Sequence, residues 1–297
     1  MRFGLMAMQM NALIPAGLSP QQMMGYVQSF DHAALVRSLH GYGFNPIELG
    51  GDLAMFMPHA YGPAAIDALA ALEAETGVTY TVHLPLWSVE PSTPLTPVRE
   101  GSVQSAIDII RATQPLEPET YVFHATGALA AEFYRMTLPE QGRAILLRQF
   151  QAGALQSLGS ILAVTGIPSR RLAIETIEFP FDLTLEMAEK LDLSLCLDTG
   201  HVLVGFSGEI AFFDALERCL PRLAEVHLHD APAYRPDAPL GYGKDHAPLG
   251  AGDLDVAGLL DRLAAAQFRG PLVFELKVEQ ALASLQVVRA LRPELVE

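Results

Sequence analysis

Eight short apolar runs recur along the chain, at residues 2–8, 46–49, 79–83, 120–124, 171–175, 193–198, 225–229 and 271–275. Ala- and Leu-rich stretches of helical period fill most of the gaps between them. The runs are near-continuous rather than alternating, as expected of parallel strands buried on both faces. Strand and helix alternating through eight repeats predict an α/β fold, a closed (β/α)8 TIM barrel rather than an open doubly wound sheet. No GxGxxG or GxxxxGK[ST] turn is present, which further disfavours a nucleotide-binding open sheet. A length of 297 residues matches one such barrel, so residues 1–297 are expected as one domain.

Six of the runs carry a histidine or carboxylate near their C-terminal tip: His83, His124, Glu175, Asp198, His227 and Glu275. The C-terminal rim of such a barrel is where chemistry is housed. So many charged or ligating groups in a buried ring are costly unless paired or bound to a cation. Imidazoles and carboxylates without thiolates point to a catalytic divalent ion such as Zn or Mn, not a structural Cys-type zinc site.

Two Pro- and Gly-rich connections follow strands that end in these groups and are expected to be lids over the rim. The first runs from Pro85 through Pro91, Pro94 and Pro97 and holds the only tryptophan, Trp87. The second spans residues 231–255 and contains His246. A Met-rich segment from Met6 to Met24, with Met8 and Met10, is expected as an apolar loop suited to an irregular hydrophobic ligand or to packing. Glu48, ending the second run, and His229, on the same strand face as His227, are further site candidates. Asp230 is expected to point elsewhere, and Glu178 to lie on the surface.

The net charge of −15 argues against a nucleic-acid partner, which needs a Lys/Arg-rich face, and favours a small-molecule substrate. Hydrophobic residues make up 50% of the chain, yet no uninterrupted apolar stretch approaches the roughly 20 residues that span a bilayer, so no membrane role is expected. Cys196 and Cys219 lack a CxxC spacing and no secretory leader is apparent, which suggests a reducing, cytoplasmic setting with both thiols as buried small hydrophobes. Oligomeric state is not encoded in these features.

The motifs Thr81-Val-His83-Leu-Pro85, Phe123-His124, Ile174-Glu175-Thr176, Asp198-Thr-Gly-His201, Val226-His227-Leu-His229-Asp230, His246-Ala-Pro-Leu-Gly250-Ala-Gly252 and Phe274-Glu275 resemble, in this order, the xylose isomerase-like TIM barrel superfamily. That group includes family-2 AP endonucleases and sugar isomerases and epimerases. The resemblance implies that Glu175, Asp198, His227 and Glu275 ligate a central metal. It implies that His83 and His124, with bridging Glu175, hold a second metal or contact substrate, so one or two ions are expected. His201 and His246 match two ligands of a third endonuclease metal, but the family's Asp-x-His element is altered: Lys244 stands two before His246 and the acidic residue is the adjacent Asp245. The resemblance therefore leaves His201 and His246 as donors to a substrate phosphate or as proton-transfer groups.

Within the superfamily the chain resembles cobamide-remodelling hydrolases most, through the Met-rich segment, the stretch Asn45-Pro-Ile-Glu-Leu-Gly-Gly-Asp52 and the acidic charge. That implies cleavage of a nucleotide-loop phosphodiester, with Glu175, Glu275, His201 and His246 as catalytic groups. A corrinoid substrate would meet Trp87, Met8, Met10, Glu48 and His229. The alternative is a sugar or sugar-phosphate isomerase or epimerase in which Glu175 and Glu275 shuttle a proton. An AP-endonuclease-like nuclease ranks third because of the charge. A metal-bearing barrel that only binds its ligand is the non-enzymatic alternative.

Overall fold

The computed structural model describes residues 1–6, 17–235 and 240–296. The alternation closes into a ring: β1 (Phe3–Met6), β2 (Ile47–Gly50), β3 (Tyr80–His83), β4 (Tyr121–Phe123), β5 (Leu172–Glu175), β6 (Ser194–Asp198), β7 (Leu223–His227) and β8 (Leu272–Phe274) pair in sequence order, and β8 returns to β1. Every pairing is parallel. Apart from the first two residues of β7, every strand residue is buried, so each run had to be apolar on both faces. Register aligns the tips: Asp198 pairs with His227, and Glu48 with Thr81 one layer further in.

Helices wrap the barrel with their apolar stripes inward. Glu140–Thr165 buries Leu147, Phe150, Ala154, Leu158 and Ile161, spaced three or four apart, and stops at Gly166, whose φ of 69° suits a residue without a Cβ. Full burial of each such Leu, Ile or Phe contributes roughly 1.5–3 kcal/mol. Both cysteines are buried and unpaired, Cys196 in β6 and Cys219 in the helix Phe212–Cys219. No helix among the described residues is long and apolar enough to cross a membrane.

Some expected boundaries shift. The first run is strand over Phe3–Met6, and the rest of it, with Met8 and Met10, lies outside the described residues. Met23 and Met24 are not loop: they sit on the helix Pro20–Gln28, whose start is fixed by a capping box between Ser19 and Gln22. The seventh strand ends at His227, because the backbone beyond it bends to pair Asp230 with Ala247. Pro97 belongs to the first turn of the helix Thr96–Thr113, where its missing N–H costs nothing.

The first Pro-rich connection is tied down rather than free. The Asp52 carboxylate accepts from the backbone N–H groups of Leu86 (2.9 Å) and Trp87 (3.2 Å), and Ser157 donates to the Pro91 carbonyl. Glu90 is held by Ser102 and in turn caps the helix Ala128–Arg135 through Leu129 N–H at 2.8 Å. Trp87 is thereby fixed at the barrel mouth while remaining 52% exposed.

Candidate metal centre

The six polar tips converge. Glu175 stands at the end of β5 and uses its two oxygens differently. Oε2 faces His83 Nε2 at 3.2 Å and His124 Nε2 at 3.0 Å. Oε1 faces His227 Nδ1 at 3.4 Å and His201 Nδ1 at 3.3 Å. Glu175, Asp198, His227 and Glu275 form one buried group whose ligand atoms lie within 4.8 Å of one another, and His83, His124 and Glu175 form a second. Glu275 follows β8 directly, and its Oε2 lies 3.5 Å from His227 Nδ1. Both donor groups share Glu175, and each could hold a cation.

Local hydrogen bonds orient these donors. The His83 Nδ1 contact with the Leu84 carbonyl, at 2.8 Å, can only be donation, which leaves Nε2 as the nitrogen that would ligate a cation once it loses its proton. Asp198 caps the short helix Thr199–Leu203 by accepting from His201 N–H at 2.7 Å, which leaves its Oδ2 facing the centre.

His201 and His246 come together with Asp245 as a third donor group: Asp245 Oδ2 lies 2.9 Å from His246 Nδ1 and 3.6 Å from His201 Nε2. The altered spacing thus still delivers a carboxylate. The residue pattern shows Asp245 beside His246 but not that its carboxylate faces His201 as well, because a ligand on an irregular loop has no periodicity.

The resemblance implies substrate contact for His229 and Glu48, and the structure places both out of reach of the cavity. His229 is fully buried, with Nε2 2.9 Å from Asp198 Oδ2 and its ring stacked on His246 at 4.2 Å. It joins Asp198, His246 and Glu275 in a further donor group. Glu48 lies beneath the centre beside Glu225, and the Thr81 hydroxyl sits 3.1 Å from both carboxylates. Asp230 points away from the centre, as expected, but has a role of its own. Its carboxylate accepts from the N–H groups of Ala231, Gly250, Gly252 and Leu254 and so holds the loop that carries His246. Glu178 is not a surface residue: it is half-buried, accepting from Tyr242 and paired with Arg135 at 3.4 Å.

Electrostatics define the charge that the assembly calls for. Burial alone would pull the His83 imidazole down, but Glu175 outweighs it and lifts the group to about 9. His246 rises to about 10 against burial through Asp245 and Glu275. Burial would raise Glu175, yet the surrounding imidazoles hold it well below the usual carboxylate range. Carboxylates this densely packed demand positive charge, from protons on the rings or from a cation. Both ring nitrogens of His227, fully buried, have no hydrogen-bond partner among the described residues. This donor chemistry, nitrogen and oxygen without sulfur, fits a divalent ion such as Zn or Mn.

Above the centre lies a cavity of about 260 Å³, lined by Met6, Leu86 and Trp87 on its apolar side and by His83, His124, Glu175, His201, His246 and Glu275 on its polar side. An apolar rim continues at Phe56, 46% exposed, whose ring meets Trp87 edge-on at 6.3 Å.

A closed parallel barrel with this rim defines a TIM barrel whose His and carboxylate side chains form a candidate metal centre. The chain belongs to the xylose isomerase-like TIM barrel family, whose model matches residues 36–293. No curated protein matches the sequence. Solved structures similar in fold include a D-tagatose 3-epimerase-like protein, at 18% identity and a TM-score of 0.70 over 100% of this chain and 98% of the other. D-psicose 3-epimerase from Clostridium cellulolyticum follows at 15% identity and a TM-score of 0.67, over 98% and 99%. Endonuclease IV from Thermus thermophilus shares 23% identity with a TM-score of 0.61, over 99% and 100%. Likeness at these identities establishes the fold alone.

Proposed function

We propose that this protein is a divalent-metal-dependent phosphodiesterase acting on a small molecule with a bulky apolar body, with the nucleotide-loop phosphodiester of a cobamide as the leading substrate. One observation carries the reading: the two oxygens of Glu175 face two different donor sets, His83 with His124 and His227 with His201. Adjacent cation sites sharing a carboxylate suit a phosphodiester, whose attacking and leaving oxygens both need charge stabilisation. A bound cation supplies Lewis acidity toward a phosphoryl oxygen. The chain itself holds that group in place with Glu175, Asp198, His227 and Glu275, and with His83 and His124. His201 and His246 border the cavity and are positioned to donate to phosphate oxygens or to pass a proton to the leaving oxygen. Trp87, Met6 and Leu86 supply an apolar wall that a corrin ring would cover and a sugar would not. The net charge of −15 disfavours a nucleic-acid backbone as the substrate.

Sugar epimerisation is the second reading. It is favoured by Glu175 and Glu275 facing the same His227 Nδ1 at 3.4 and 3.5 Å, an arrangement suited to proton transfer across one bound substrate, and by the epimerases among the structures of like fold.

The deciding experiment is mass spectrometry of an adenosylated cobamide after incubation with Mn- or Zn-loaded protein. Release of cobinamide phosphate and a riboside, lost in Glu175→Gln and on chelation, supports the first reading. An unchanged cobamide alongside epimerised ketoses would replace it with the second.

A further inference from the structure

A second cavity, of about 300 Å³, opens beside the metal centre and shares Leu86, Trp87, His124 and His201 with the first. Its remaining walls come from the helix Ala128–Arg135 and from loops that the chemistry described above does not use. Ala131 and Ile177, both buried, and the ring of Phe206 make it apolar. Phe206 lies 5.4 Å from the His201 ring and 5.1 Å from that of Tyr242, and Arg135 sits 5.0 Å over Tyr242, so an aromatic run leads outward from the centre. The polar exceptions include the Glu178 carboxylate, held from the outer side by Tyr242 and Arg135. Its remaining lone pairs can accept from a ligand N–H or hydroxyl.

We infer that this cavity is the subsite for a flat fused heteroaromatic group with an attached polar substituent, a nucleoside-like portion joined to the group that meets the metal centre. Ring faces such as those of Trp87 and Phe206 favour stacked or edge-on aromatic partners over aliphatic ones of equal size. The volume, at the small end for ligand-sized pockets, admits one such group rather than a macrocycle. The shared imidazoles His124 and His201 put the point of attachment next to the donor atoms. The inference rests on the phosphodiesterase reading only for which bond is cleaved, and binding can be measured without turnover.

Trp87 is the only tryptophan and lines both cavities, so its fluorescence reports occupancy directly. The test titrates the full-length, metal-loaded protein with benzimidazole ribonucleoside, following Trp87 emission and heat of binding, with ribose as the non-aromatic control. Wild type is expected to bind the nucleoside and not ribose. Ala131→Phe, which fills the cavity, and Phe206→Ala, which removes a ring, are each expected to weaken binding at least tenfold while thermal unfolding stays cooperative. Ile177→Val, a smaller change to the same wall, provides a readout should either variant fail to fold, with a two- to threefold loss expected. Absence of nucleoside binding in wild type, ribose binding as tightly, or affinity unchanged in folded Ala131→Phe and Ile177→Val would overturn the inference. Binding as expected together with intact cobamide would refute the proposed reaction and leave the subsite standing.

Discussion

Glu48 Oε1 lies 3.4 Å from His227 Nε2 inside the barrel, and neither atom has a hydrogen-bond partner among the described residues. His227 Nδ1 faces the opposite way, toward Glu175 and Glu275. A carboxylate below Nε2 favours the tautomer with its proton there and leaves the Nδ1 lone pair for a cation. Glu48→Ala is therefore expected to weaken Mn or Zn binding about 10–100-fold, the usual loss when such a supporting partner is removed. Competition against a chromophoric chelator measures it, and unchanged affinity would mean that packing alone orients the ring.

A Cβ on Gly200 would lie well inside 3.0 Å of both the Asp245 carbonyl oxygen and His229 Nδ1. Both neighbours belong to the donor groups of the centre, and neither the backbone nor a buried ring can yield cheaply. Gly200→Ala is expected to cost roughly 1–3 kcal/mol through overpacking. It should also lower metal content by displacing Asp245 and His229. Thermal unfolding and metal analysis of the same preparation would show both losses; stability lost with full metal retained would separate the fold from the site.

The Asp230 carboxylate accepts from four backbone N–H groups, at 2.8 to 3.0 Å. Asp230→Ala leaves these donors without their acceptor, at about 1–3 kcal/mol for each that stays buried and unpaired. The loop carrying His246 should loosen first. Hydrogen exchange of residues 247–254 is expected to quicken well beyond that of the strands, and protection equal to wild type would show that other contacts hold the loop.

The ring of strand tips was legible because each functional residue ends a run that burial on both faces had made apolar. His83, Glu175 and Asp198 could be found from that contrast alone. Glu225 was not singled out, since it stands at the head of its run and reads as a strand boundary. The signal available was parity, because residues two apart share a strand face and Glu225 precedes His227 by two. Both carboxylates of the Glu48–Glu225 pair are fully buried, and burial followed by the nearby Glu48 pushes Glu225 well above the ordinary range. Asp245 and Asp230 both stand in motifs named above, but what their carboxylates do was illegible for another reason. Their roles depend on where an irregular loop folds back, and loop backbone follows hydrogen bonds that no residue periodicity records.

His32 provides a test of stability away from the metal centre. It is 2% exposed, packed edge-on against Tyr61 at 5.4 Å, with Nδ1 3.1 Å from the Ala60 carbonyl and Nε2 unpartnered among the described residues. Burial pulls its pKa down to about 4, against a weaker upward pull from the Ala60 carbonyl. Below pH 6.5 the unfolded chain takes up a proton that the native ring refuses, so the unfolded state gains. The contribution is complete above pH 6.5, is lost progressively as the pH falls toward about 4, and changes no further below that. Its size is on the order of 3 kcal/mol. Urea unfolding of chelator-treated wild type and His32→Leu at about pH 7.5 and about pH 4.5 would isolate it, because every other titrating group is common to both proteins. The variant should lose less stability between the two pH values. Equal losses would mean that the native ring accepts its proton as readily as the unfolded one.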